Sequence, residues 1–169
     1  MRIAYTMSPG RGDTDLVLAR LATGLADAGL RTCGVVQINT ERPDTPVCDM
    51  DVKVLPEGPV IRISQTLGPG ARGCRLDPPA LEEAVGLVSA RLAAGADVLI
   101  VNKFGKHEAG GRGFRDVIAD ALARDVPVVV GVNGMNERAF LDFTADMATR
   151  VDPDADALRA WLDAARLAA

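Results

Sequence analysis

The chain has 169 residues, 48% apolar and 25% charged, a balance that excludes a disordered protein and sizes it as one globular domain over 1–169. Its formal net charge of -4 and pI near 5.0 argue against a nucleic-acid-binding protein, whose basic footprint shows in the total. No apolar run reaches the length of a membrane span, and the start lacks the apolar stretch of a signal peptide, so a cytoplasmic protein with no membrane partner is expected.

Arg2 to Met7 reads as a first strand. From Thr14, apolar Leu18, Leu21, Ala22 and Leu25 recur with helical period up to the stop at Ala28-Gly29, and Cys33 to Ile38 is a short β-branched run that reads as the second strand. After a Pro-rich passage, Glu41 to Pro46, come two alternating runs, Asp51 to Leu55 and Val60 to Ser64. Pro56-Glu57-Gly58-Pro59 joins them, which predicts a β-hairpin at one edge of a sheet.

Residues 67–79 form a glycine-rich loop closing on Asp77, a helix N-cap, with Pro78 at the favoured first helical position; Leu81, Ala84, Val85, Val88 and Leu92 share the next helical face. Val98 to Val101 is a buried strand, Phe114, Val117, Ile118, Ala121 and Leu122 mark a third helix, and Val126 to Val132 is the last central strand. A helical stretch near Arg138 to Met147 and a final helix bearing Leu158, Trp161, Leu162 and Ala165 complete the chain. Strands alternating with helices imply a three-layer α/β fold, a mostly parallel sheet with helices on both faces plus the hairpin, in which ligands sit beyond the carboxyl ends of the strands.

Three strand-end loops carry the chemistry. The first, MSPGRGDTD at residues 7–15, lies between a strand and a helix, where a phosphate loop belongs. The pattern G-x-x-x-x-G-K-[ST] needs a lysine for the outer phosphates and a hydroxyl for magnesium. Matching Gly12 and Thr14 to its end leaves Met7 at the first glycine and Asp13 at the lysine. Gly10 and Gly12 still permit an anion-holding nest and Arg11 supplies a cation; the alternative is that Asp13 caps the helix and uses up the same N–H groups.

The second loop carries Arg72 and Arg75, whose guanidinium forks suit oxyanions, unless Arg75 pairs with a carboxylate to fix the loop. The third, LIVNKFGKHEAGGRGF at 99–114, ends a buried strand where a working nucleoside triphosphatase places a carboxylate for magnesium; Asn102 and Lys103 stand there instead. Two of the chain's three lysines, Lys103 and Lys106, fall in this loop beside His107, Arg112 and Arg115, and Glu108 is its sole carboxylate. Cys33, Cys48 and Cys74 are far apart and form no metal-binding pair, so they read as small buried thiols.

From Val98 to Val132 the chain resembles the P-loop NTPases of the thermophilic nucleoside-triphosphatase type and their molybdenum-cofactor relatives. Asn102-Lys103-Phe104-Gly105 and His107-Glu108 stand where those proteins carry Asp-Glu-Ile-Gly and a later Met-Glu, so the catalytic carboxylates do not carry over. A closer resemblance is to the bacterial family of unknown function numbered 2478, through Gly73-Cys74-Arg75-Leu76-Asp77, Val101 to Lys106 and Gly111 to Arg115. That resemblance implies a link to molybdate transport.

The expectation is an anion- or nucleotide-binding protein of degenerate P-loop fold, using Gly10, Arg11, Gly12, Thr14, Arg72, Arg75, Asn102, Lys103 and Lys106, with no protein-bound metal and magnesium left open. One alternative is a nucleoside triphosphatase or phosphotransferase using Lys103 or Lys106 with Glu108 positioning a water. Another is a non-catalytic module whose loops face a protein partner, a second copy of the chain included.

Overall fold

The computed structural model describes residues 1–10, 12–40, 48–65 and 75–167. In chain order its elements are β1 (Ile3–Thr6), α1 (Asp13–Asp27), β2 (Thr32–Thr40), β3 (Asp49–Val54), β4 (Val60–Arg62), α2 (Pro78–Ala93), β5 (Val98–Phe104), α3 (Lys106–Ala109), α4 (Arg115–Ala123), β6 (Val128–Val132), α5 (Glu137–Phe143), β7 (Thr149–Arg150) and α6 (Ala155–Leu167). The strands form one sheet in the order β4-β3-β2-β5-β6-β1-β7. From β2 to β7 every pairing is parallel, while β3 and β4 fold back antiparallel on the β2 edge, as the hairpin pattern predicts.

Strands buried on both faces need continuous apolar runs, and β5 and β6 supply them: Val98 to Val101 and Val128 to Val130 are fully buried. Because successive side chains alternate across a strand, Leu99, Val101, Val128 and Val130 pack under α2 and α4 through Leu81, Ala84, Val88, Val117 and Ile118. Val98, Ile100 and Val129 face the other layer, where Leu18, Leu21 and Leu25 of α1 meet Leu158 and Leu162 of α6.

Two glycines let the layers close. Gly34 has φ 113° and a Cβ there would run into the carbonyl oxygen of Ile100 on the neighbouring strand. At Gly131 a Cβ would meet the backbone of Asn102 and the side chain of Leu18, so α1 descends close to the sheet there.

The helix expected around Phe114 starts at Arg115, and a separate short turn, α3, precedes it. The two-residue β7 joins the sheet beside β1 without any prior signal in the sequence. Asp77 does cap α2: its carboxylate accepts from the Ala80 N–H at 3.2 Å, with Pro in the first turn. Cys33 is buried, which pushes its thiol up to about 11, and Cys48 is half-buried; Cys74 lies outside the described residues. No helix among the described residues is long and apolar enough to cross a membrane.

Candidate functional site

Strand order reverses at β1: β6, β5 and β2 lie to one side of it and β7 to the other. In an open α/β sheet that reversal leaves a crevice beyond the carboxyl ends of the strands. A cleft of about 510 Å³ opens there. Ser8, Pro9, Gly10 and Gly12 after β1 form one wall with Thr14 and Asp15 of α1; Asn102 and Lys103 at the end of β5 form the second, and Gly131 to Met135 at the end of β6 the third.

The 15-residue helix α1 points its N-terminus at this cleft. Its N-cap is Gly12 in the left-handed region (φ 85°), with no side chain capping it among the described residues. The alternative that Asp13 occupies the cap is thereby corrected, since Asp13 is already the first helical residue and is exposed. An uncapped first turn keeps its N–H groups and the positive end of the helix dipole available for an anion. Thr14 holds the loop in shape, its Oγ1 accepting from the Ser8 N–H at 3.0 Å.

Beneath this turn the carboxylate of Asp15, largely buried, accepts from two amides at 2.7 Å each: Asn39 Nδ2 on β2 and Asn102 Nδ2 on β5. Gln37 Nε2 donates in turn to Asn39 Oδ1 at 2.8 Å. The side chains of β2, α1 and β5 are thus clipped together at the floor of the cleft. Asn102 is 2% exposed, and its Oδ1 has no hydrogen-bond partner.

The third wall is held from behind. Tyr5 donates its hydroxyl to Glu137 Oε1 at 3.0 Å, Arg150 approaches the same oxygen at 3.6 Å, and Tyr5 stacks at a tilt on Phe140, which fixes α5 against β1. Burial, then the Glu137 hydrogen bond, raises the Tyr5 hydroxyl above its ordinary pKa. Asn133 Oδ1 accepts from the N–H and Nδ2 of Asn136, closing the turn that presents Gly134 and Met135.

Of the expected site residues, Gly10, Gly12, Thr14, Asn102 and Lys103 come together in the cleft. Arg75 does not: its Nη1 donates to the Cys48 carbonyl at 2.9 Å and its Nη2 lies 3.7 Å from Asp49, so it ties the second loop to β3. Arg62 reaches the same carboxylate at 2.8 Å. Lys106 is exposed on α3 and outside the cleft lining. Arg11 and Arg72 lie outside the described residues.

Glu108 is buried, accepting from the Gly105 N–H at 2.9 Å and the Phe114 N–H at 3.3 Å. Each oxygen accepts one loop-backbone N–H, and Glu108 is not among the residues that line the cleft, which disfavours a water-positioning role for it there. Nearby, Glu82 holds His107 Nε2 at 3.0 Å and the Gly113 N–H at 3.1 Å, and Arg115 lies 4.4 Å over the Phe143 ring.

Sequence reading missed Asp15 and the wall from Gly131 to Met135. The second carried a signal, an Asn-Gly pair directly after a buried apolar run, which marks a loop at a strand's carboxyl end. Asp15 carried none, since its partners are 24 and 87 residues away.

The model of the family described as Protein of unknown function (DUF2478) matches residues 3–161. The chain belongs to the DUF2478 family. This DUF2478 chain is 35% identical over 160 residues to the molybdenum import ATP-binding protein ModC 2 of Bradyrhizobium diazoefficiens. That match takes in 95% of the chain but only 18% of the longer relative.

Among solved structures, THEP1 from the hyperthermophile Aquifex aeolicus superposes with a TM-score of 0.64 at 18% identity, covering 97% of this chain and 96% of that one. A human cancer-related nucleoside triphosphatase does so at 0.61 and 19% identity, covering 89% and 87%. The DUF2478 chain therefore has a P-loop NTPase-like α/β fold.

Proposed function

We propose that the protein binds a ligand through a tetrahedral oxyanion group, a nucleotide phosphate or a free oxyanion such as molybdate, in the cleft between α1 and β5, and that it does not hydrolyse nucleoside triphosphates at an ordinary rate. The observation that carries this reading is the uncapped N-terminus of α1 opening into the 510 Å³ cleft opposite Lys103. The helix supplies oriented N–H donors, and Lys103 supplies the full positive charge that residue 13 of the loop lacks.

Poor hydrolysis follows from the same residues. Phosphoryl transfer needs a cation on the transferred group and a carboxylate ordering metal and water. The loop lysine is replaced by Asp13, the strand-end position holds Asn102, and Glu108 is committed to backbone amides. The likeness to ModC 2 favours molybdate, or a nucleotide serving its transport, as the ligand.

The test is thermal unfolding against ATP, GTP, phosphate, sulfate, molybdate and tungstate, with phosphate release followed in parallel. A ligand at a hundred times its Kd stabilises by about 2.7 kcal/mol, a rise of a few degrees at this size. A selective rise without phosphate release is the expected result. A flat panel removes the reading, and rapid magnesium-dependent release lost on Lys103→Ala would establish the enzyme instead.

A further inference from the structure

Outside the cleft, the carboxyl end of the sheet carries two charge patches of opposite sign. The first follows β5. Lys106 and Arg112 are exposed, and neither enters an ion pair among the described residues. The Arg112 N–H donates to the His107 carbonyl at 3.2 Å, which holds the two cations on one short loop. Glu108, the sole carboxylate of residues 103–115, is buried.

The second patch follows β7. Asp152, Asp154 and Asp156 are exposed and equally free of ion pairs among the described residues. Asp154 accepts from the Ala157 N–H at 2.9 Å and caps α6, which leaves Asp152 and Asp156 for other work. Because β7 runs parallel to β1 and the Val151 N–H donates to the Tyr5 carbonyl at 2.9 Å, residue 152 leaves the sheet at the same end as the loop after β5. β6 and β1 stand between β5 and β7, a separation of about 14 Å at the ordinary strand spacing, so the patches do not neutralise each other within one chain.

The same end also exposes two large apolar side chains on elements between the patches: Leu16 in the first turn of α1 is 70% exposed, and Met135 after β6 is 90% exposed. Apolar side chains inside a charged rim are the anatomy of a protein–protein interface.

We propose that this end of the molecule is a self-association surface, on which a second copy docks so that Lys106 and Arg112 of each chain meet Asp152 and Asp156 of the other. Two opposite patches on one face are complementary to themselves. A half-turn about an axis lying across that face between them sets each patch on its counterpart, makes the contact twice, and closes the assembly at two copies. Arrangements that set like charges together are repelled, so the charges fix the register while Leu16 and Met135 supply apolar contact near the axis. The association does not depend on what the cleft binds.

The test is sedimentation equilibrium on the wild type, on a chain carrying Lys106→Glu and Arg112→Glu, on one carrying Asp152→Lys and Asp156→Lys, and on an equimolar mixture of the two variants. The wild type is expected to be a dimer at about 50 mM salt that dissociates toward about 500 mM, where screening shortens the reach of exposed charges. Each variant alone sets like charges together twice and is expected to dimerise at least tenfold more weakly. The mixture restores both contacts, because the reversed patch of one variant meets the reversed patch of the other, and it is expected to dimerise with a Kd within a few fold of the wild type. Recovery on mixing also shows that both variants are folded; if the doubly reversed acidic patch does not fold, Asp152→Lys alone takes its place. A wild type that stays monomeric at about 100 µM in low salt, well above the Kd of a specific contact, would overturn the proposal. So would a dimer indifferent to both reversals, or folded variants whose mixture stays monomeric.

Discussion

Lys103 is exposed at the end of β5 and lines the cleft, whereas Lys106, three residues on, is exposed on α3 outside it. A hydrogen bond to a charged group is worth about 1.5–3 kcal/mol. Lys103→Ala is therefore expected to weaken oxyanion binding by roughly tenfold to a hundredfold, with Lys106→Ala within twofold of wild type in the same titration. Glu108→Gln keeps binding intact and lowers stability by about 1–3 kcal/mol, because an amide satisfies only one of the two N–H groups the carboxylate serves; urea unfolding measures the loss. The sequence showed these charges clustering but not which way each side chain turns. Arg75 and Lys103 looked equivalent as strand-end cations until Asp49 claimed the first.

At the scale of elements, the edge hairpin is pinned by charge. The Arg62 guanidinium, hydrogen-bonded to Asp51 Oδ1 at 2.8 Å, holds that carboxyl below the usual carboxylate range. A depressed folded pKa adds stability that is fully present above the unfolded value near 4 and is lost as pH falls through the folded value. Arg62→Met is thus expected to lower stability between pH 5 and 7 by an amount that shrinks below pH 4, seen by urea unfolding at each pH.

Where β2 meets β5, Gly34→Ala forces a methyl group into the Ile100 carbonyl at a φ that L-residues avoid, an expected loss of about 2–4 kcal/mol in the same assay. The elements with strong periodicity or caps were legible: α1 from its leucines, α2 from Asp77-Pro78, β5 and β6 from their valines. β7 was not, because two exposed residues carry no pattern and pair with β1 only once the tertiary fold exists.

At the scale of the molecule, the alternation of strands and helices implied the α/β sheet, but the order that places β1 between β6 and β7 rests on contacts far apart in sequence. That order makes the cleft, and with it the meeting of residues 8–15 with 102–103 and 131–135. The first two segments were marked by loop chemistry; the clip from Asp15 to Asn102 was not, since a buried Asp in a first helical turn reads as a dipole partner before its cross-sheet amides are seen.

The measurement that bears most directly on the central claim is isothermal titration of ATP, phosphate and molybdate, each with Mg²⁺, into the wild type, Lys103→Ala and Arg75→Ala. The account predicts that one of these ligands binds the wild type, binds Lys103→Ala at least tenfold more weakly, and binds Arg75→Ala as it does the wild type. Binding indifferent to Lys103, or binding abolished with Arg75 alone, would contradict it.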